Sequence, residues 1–272
     1  MTDGADDTDG AGTSDNVTVE RNDGVGRVTL NRPDAYNSLD AATARDLRTA
    51  VVELAEDDDV RCLVLGGNGP AFCSGADLGS FEGDETDRKR LDAVATPLHK
   101  AVETLATAPK PTVTAVGGVA AGGGLGLALA ADVVLAHEDA RFEFTYTRIG
   151  LSGDGGSTWF LPRLLGYRRA REFALLDEPI AAEEAAAEGL ATEVVPDDGF
   201  DDRVDEVARE FASGPTKAYA SIKRLLARGE DRDLPAQLAA EKDTITRLSR
   251  TQDYATGYEA FFGDNEPGFE GR

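Results

Sequence analysis

Two glycine-bearing segments constrain this chain more than any other feature: Ala71-Phe72-Cys73-Ser74-Gly75-Ala76-Asp77-Leu78 and Gly117-Gly118-Val119-Ala120-Ala121-Gly122-Gly123-Gly124-Leu125. Each puts small residues where a strand gives way to a turn or helix, so backbone N–H groups can face a ligand with no side chain in the way. A fold that brings the two together builds a site from main chain. Such a site suits an oxyanion hole, which needs preorganised donors aimed at an oxygen on which negative charge develops. On composition alone, 122–124 fits equally the tight packing of a helix against a sheet.

Periodicity and punctuation predict strands over 17–20, 26–30, 62–65, 112–116, 132–136 and 141–144. Helices are expected over 41–57, with Asp40 as N-cap, over 91–106, and from the second glycine segment to about 131. From Trp159 onward the pattern is mostly helical, with turns at Gly189, Gly199 and Gly214-Pro215. Strands interleaved with helices, then helices alone, indicate an α/β core with a helical C-terminal region. The expected divisions are a disordered acidic leader at 1–15, a core at 16–200 and helices at 201–272. The leader has neither a basic n-region nor an apolar h-region, and the apolar stretches 113–116 and 125–136 are too short to span a bilayer. No membrane partner is expected. Two cysteines, Cys62 and Cys73, give neither a disulfide framework nor a metal-ligand pair, which suits a reducing cytoplasm.

Competing motifs fail on inspection. A dinucleotide fingerprint ends in glycine, but the runs starting at Gly122 and Gly124 end in Leu127 and Leu129. No Gly-Lys-Ser/Thr phosphate loop occurs. Gly150-Leu151-Ser152-Gly153-Asp154 approaches a nucleophile elbow and ends in Asp where glycine is required. Cys73 is a poor nucleophile candidate because neither His99 nor His137 sits in a partnering motif.

The paired segments, together with Asn31-Arg32-Pro33-Asp34-Ala35-Tyr36-Asn37-Ser38-Leu39, Ile149-Gly150-Leu151-Ser152-Gly153-Asp154-Gly155-Gly156 and the tail Gly257-Tyr258-Glu259-Ala260-Phe261-Phe262, resemble the enoyl-CoA hydratase/isomerase (crotonase) superfamily over about 17–272. The resemblance implies an α/β spiral of ββα repeats with C-terminal helices that pack in a homotrimer or a dimer of trimers. It also implies an acyl-CoA substrate, with no cofactor beyond the coenzyme A that the substrate carries and no metal.

By the same resemblance the oxyanion donors are the backbone N–H groups of Ala76 and Gly123, the latter at the start of a short helix whose dipole adds positive potential. Ala35, Tyr36, Ala76, Asp77, Leu78 and Gly79 resemble the stretch that holds adenine and pantetheine; Ser74, Gly122, Gly123 and Tyr146 complete the expected substrate contacts. Relatives often carry lysine where this chain has Gly79. Hydratases of the family use two glutamates, and the corresponding positions here are Gly126 and Tyr146. What remains is Asp154, which resembles the catalytic acid of the family's double-bond isomerases. One carboxylate suffices for a 1,3-proton shift. A hydratase using Asp154 and Tyr146, or an idle acyl-CoA binding subunit, are the alternatives.

Several residues have plainer explanations. Asp154 could cap the helix that starts near Gly156, and Tyr146 could simply pack. Trp159 is expected to line the acyl pocket or to sit in the core. Phe261 and Phe262 either shield the coenzyme A of a neighbouring subunit or belong to a core helix.

Charge excludes one class of partner. The chain carries 51 acidic against 28 basic residues, for a net charge of -23, and only 6 of the basic ones are lysine. Nucleic acid is a poor match for such a surface. A dispersed acidic coat with scarce lysine fits a halophilic cytoplasm, where salt screens self-repulsion; an ordinary acidic protein is the alternative.

Overall fold

Strand β1 (Val17–Asn22) turns back antiparallel onto β2 (Val25–Leu30), and helix α1 (Ala41–Glu56) comes next. As the sequence predicts, the Asp40 side chain caps α1 by accepting the Thr43 N–H at 2.8 Å. The computed structural model describes residues 15–263 and 265–272, so the acidic leader expected at 1–15 lies outside the described residues except for Asp15.

Three repeats of strand, short strand and helix succeed α1. They are β3 (Cys62–Gly67), β4 (Ala71–Cys73) and α2 (Asp87–Thr107); then β5 (Thr112–Val116), β6 (Val119–Ala121) and α3 (Gly123–Leu129); then β7 (Val133–His137), β8 (Arg141–Glu143) and α4 (Ser157–Leu176). Two further short strands, β9 (Ile180–Ala181) and β10 (Glu193–Val195), flank α5 (Ala182–Glu188) inside the stretch that the sequence marks as helical. The long strands assemble in the order β1-β2-β3-β5-β7-β10, parallel from β2 onward, and the short ones in the order β4-β6-β8-β9. Each repeat therefore puts one strand in each sheet and returns through a helix, which is the ββα spiral.

The run Cys62-Leu63-Val64-Leu65 is buried on both faces because the sheet is covered on both sides. Leu63 and Leu65 face the main core with α1 and α2, while Cys62 and Val64 face a second cluster with Val204, Val207, Ala208 and Ala212. The latter belong to α6 (Phe200–Ser213), so the helical C-terminal region begins with a helix packed on the sheet. Helices α7 (Thr216–Gly229), α8 (Leu234–Leu248) and α9 (Gln252–Phe262) complete it. Phe261 and Phe262 are exposed, which rules out the core-helix explanation for them. Among the described residues, no helix is long and apolar enough to cross a membrane, and no cluster of three metal-ligating side chains occurs.

Candidate active site

The two glycine segments meet because β4 and β6, which open them, are parallel neighbours in the small sheet. Parallel strands deliver their downstream loops to the same end. A Cβ placed on Gly75, whose φ is +89°, would lie 3.0 Å from the Ala121 carbonyl and 3.2 Å from the Gly123 nitrogen. Any side chain there would push the two loops apart. A Cβ on Gly124 would come within 2.1 Å of the Cys73 carbonyl, so the glycine run serves helix packing as well as the site.

The direction of the Ala76 amide is set by its neighbours. Leu39 donates to the Gly75 carbonyl at 2.7 Å and accepts from the Asp77 N–H at 2.9 Å. In an extended segment successive groups point to opposite sides, so the Ala76 N–H faces away from Leu39. Gly123 is the first residue of α3, where an N–H has no partner within the helix. Among the described residues, neither amide donates in the loop and cap hydrogen bonds. Both residues line a cavity of about 280 Å³. Two free donors thus face one enclosed space.

Apolar side chains from α2 form one wall, Leu91, Val94, Ala95 and Leu98 falling on one helical face. Leu78, Ile149 and Leu151 line both this cavity and an adjoining groove of about 1230 Å³. Asp154 is the carboxylate among the lining residues. Its side chain does not cap α4: the N-cap is Gly156, with no side-chain cap, and Asp154 contributes only its carbonyl, to the Ser157 N–H. Instead its Oδ1 is hydrogen-bonded to Nε2 of His99, which comes from α2. Sequence reasoning missed this partner. The signal was the four-residue recurrence Leu91, Ala95, His99, which puts the histidine on the stripe that walls the cavity.

Tyr146 also reaches the cavity, and its hydroxyl is buried without a hydrogen-bond partner. Burial raises its pKa, the Asp154 carboxylate adds to the rise, and the nearby Asp154 amide offsets part of it without closing a hydrogen bond. The phenol therefore stays protonated and keeps a donor for whatever enters. An orphaned buried hydroxyl costs about 1–3 kcal/mol, which mere packing does not explain. Gly126 has no room for any side chain, since a Cβ there would sit 1.9 Å from the Gly155 carbonyl.

Of the other expected contacts, Ser74, Leu78 and Gly122 line the cavity, whereas Ala35, Tyr36, Asp77 and Gly79 do not. Those four belong to two segments that hold each other. Arg32 donates to Asp77 at 3.0 Å and to the Ser38 carbonyl at 2.6 Å, Ser74 donates to the Tyr36 carbonyl at 3.1 Å, and Asp77 accepts the Gly79 N–H. Asp77 thus anchors the loop. Trp159 neither lines the cavity nor enters the core; it is half exposed, with the Arg163 guanidinium 3.9 Å from its ring centre. Cys73 is fully buried, and burial pushes its thiol up to about 12, so it is no nucleophile at neutral pH.

The chain is similar to known proteins over nearly its whole length. The family model for enoyl-CoA hydratase/isomerase matches residues 20–272. A Rhodobacter capsulatus protein named a probable enoyl-CoA hydratase is 41% identical over 257 residues, covering 94% of this chain and 98% of the relative. The 1,2-epoxyphenylacetyl-CoA isomerase of Escherichia coli is 37% identical over 254 residues, covering 92% and 96%. Among solved structures, the enoyl-CoA hydratase of Bacillus anthracis superposes with a TM-score of 0.88 at 31% identity, covering 94% of this chain and all of that one. The spiral of ββα repeats, the paired amides at its small sheet and these matches over nearly the whole length lead to one conclusion: the chain is an enzyme of the enoyl-CoA hydratase/isomerase family.

Proposed function

We propose that the protein moves a carbon–carbon double bond within an enoyl-CoA thioester, with Asp154 as the sole acid/base. The carrying observation is that the cavity holds one carboxylate opposite two free backbone donors. Asp154 takes a proton from the α-carbon of a β,γ-enoyl thioester. The thioester oxygen becomes a dienolate oxygen held by the Ala76 and Gly123 N–H groups, and Asp154 returns the proton at the γ-carbon. The apolar wall from α2 keeps water away from the dienolate. Coenzyme A is bound as part of the substrate, with the 32–39 and 74–79 segments on its side of the cavity. Asp154→Asn tests the assignment: conjugation of a 3-enoyl-CoA is expected to fall by about 10²–10⁴-fold, with binding of the thioester retained. Full activity in that variant would remove the assignment.

One observation favours a second reading. The unpartnered Tyr146 hydroxyl beside Asp154 could hold a water molecule, which is what hydration of a 2-enoyl-CoA requires. Hydration by wild type that is lost in Tyr146→Phe would establish it. For the assembly we infer a homotrimer or dimer of trimers, supported by large apolar side chains exposed on α7 to α9, among them Leu226, Ile245, Tyr258, Phe261 and Phe262.

A further inference from the structure

We propose that His99 is the positioning residue for Asp154, fixing which carboxylate oxygen faces the substrate; this rests on the isomerase reading above. The backbone of the segment carrying Asp154 is packed against α3, but the Asp154 side chain is one-third exposed. Gly153 precedes it, Gly155 and Gly156 come after it with φ of +57° and +78°, and α4 begins only at Ser157. A carboxylate on such a segment has two interchangeable oxygens and free rotation. Among the described residues, His99 is the side chain hydrogen-bonded to it.

The backbone of His99 is held by a helix, although its ring is about half exposed. It sits in the middle of α2, a helix whose Leu98, Ala101, Val102 and Leu105 are buried in the main core. A carboxylate can only accept, so the ring nitrogen that meets Oδ1 carries a hydrogen. That donor ties up Oδ1 and leaves Oδ2 to face the α- and γ-carbons. The contact survives the reaction, because the proton that Asp154 takes from the α-carbon resides on Oδ2 and leaves from there to the γ-carbon. No proton passes through the imidazole.

The neighbouring charges leave this role to His99. Lys100, next on α2, is turned to Glu103 at 2.9 Å, and Tyr146 is the other titratable group lining the cavity. His137 is engaged elsewhere, with Asp197 at 3.1 Å.

The test compares His99→Ala and His99→Gln with wild type, using a 3-enoyl-CoA. Loss of orientation in the Ala variant is expected to lower kcat about 10–100-fold with KM nearly unchanged, and Gln, which restores an N–H donor of similar reach, to recover most of it. A kcat loss at nearly constant KM that Gln rescues is a pattern that a purely structural residue would not give. Independently of activity, long-range ¹H–¹⁵N spectra of this two-histidine chain should show Asp154→Asn shifting the His99 ring nitrogens and leaving those of His137 in place. Wild-type kcat in His99→Ala would overturn the proposal while the isomerase reading stands, as would His99 ring shifts indifferent to Asp154→Asn. A wild-type protein that conjugates no 3-enoyl-CoA would overturn both.

Discussion

The missing Cβ at Gly126, one of the two positions where a hydratase would carry glutamate, has a packing reason. At Gly126, inside α3, even a methyl group would drive into the Gly155 carbonyl, and Gly155 belongs to the segment that carries Asp154. The absence of a glutamate is thus built into the packing of α3 against the 152–156 segment. Gly126→Glu is expected to create no hydratase and to lower stability by about 3 kcal/mol or more, read from a urea melt. A well-folded, hydrating Gly126→Glu variant would contradict that packing constraint. Short motifs in the sequence single out Asp154, Ala76 and Gly123, which the fold brings to one cavity. They concealed the His99 contact, because that pair is 55 residues apart and only the packing of α2 on the cavity joins them.

Elements are held in place by a few polar groups at their ends. Asp40 closes the first turn of α1, and its carboxyl lies below its ordinary value of 3.8: burial opposes the charge, but the Thr43 amide and hydroxyl, the Arg32 guanidinium and the Ala42 amide outweigh it. A carboxyl held low in the folded state stabilises above its unfolded pKa, and the gain is lost as pH falls below 3.8 through the lowered value. Asp40→Ala is accordingly expected to cost about 1 kcal/mol near neutral pH and progressively less in acid melts below that point. Two of the six lysines, Lys110 buried and Lys223 half-buried, serve a similar purpose. Lys110 donates to the Leu54 and Asp57 carbonyls at the C-terminal end of α1, where a cation meets the negative end of the helix dipole. Lys223 of α7 reaches Asp132, before β7, at 2.6 Å and the Lys110 carbonyl at 2.9 Å. Burial lowers the pKa of both lysines, and the Asp57 and Asp132 carboxylates respectively oppose the drop. Lys223→Met leaves Asp132 without its cation and is expected to cost about 2 kcal/mol, the partly exposed carboxylate tempering a larger buried-pair loss; an unchanged melt would show that α7 docks without it. The five longest strands, the short β8 and the helices were legible from the sequence pattern, as was the Asp40 cap. Strands β4, β6, β9 and β10 were not, because two or three residues carry no period and only their neighbours, β7 for β10 and the second sheet for the others, define them.

At the scale of the whole molecule, charge and exposed apolar surface act together. With a net charge of -23, self-repulsion is strong at low ionic strength and weak once the screening length falls from about 10 Å at 0.1 M salt to about 3 Å at 1 M. Thermal melts are expected to rise steadily from low to molar KCl, and equal stability at both ends would remove the salt-adapted interpretation. Screening also lets like-charged copies approach, so the apolar side chains on α7 to α9 should associate more completely in molar KCl. The net charge is legible in the composition; the exposed apolar side chains needed the fold, because an exposed face on α8 or α9 reads in sequence like any amphipathic helix.

One carboxylate and two backbone donors are expected to perform a double-bond shift and no hydration. The decisive assay offers the purified protein, in molar KCl, 3-hexenoyl-CoA and crotonyl-CoA in separate reactions, following conjugation of the first and loss of the double bond in the second. Rapid conjugation of 3-hexenoyl-CoA with crotonyl-CoA left intact is the predicted result. Rapid hydration of crotonyl-CoA without conjugation of 3-hexenoyl-CoA would contradict it and make Tyr146, with a held water, the centre of the chemistry.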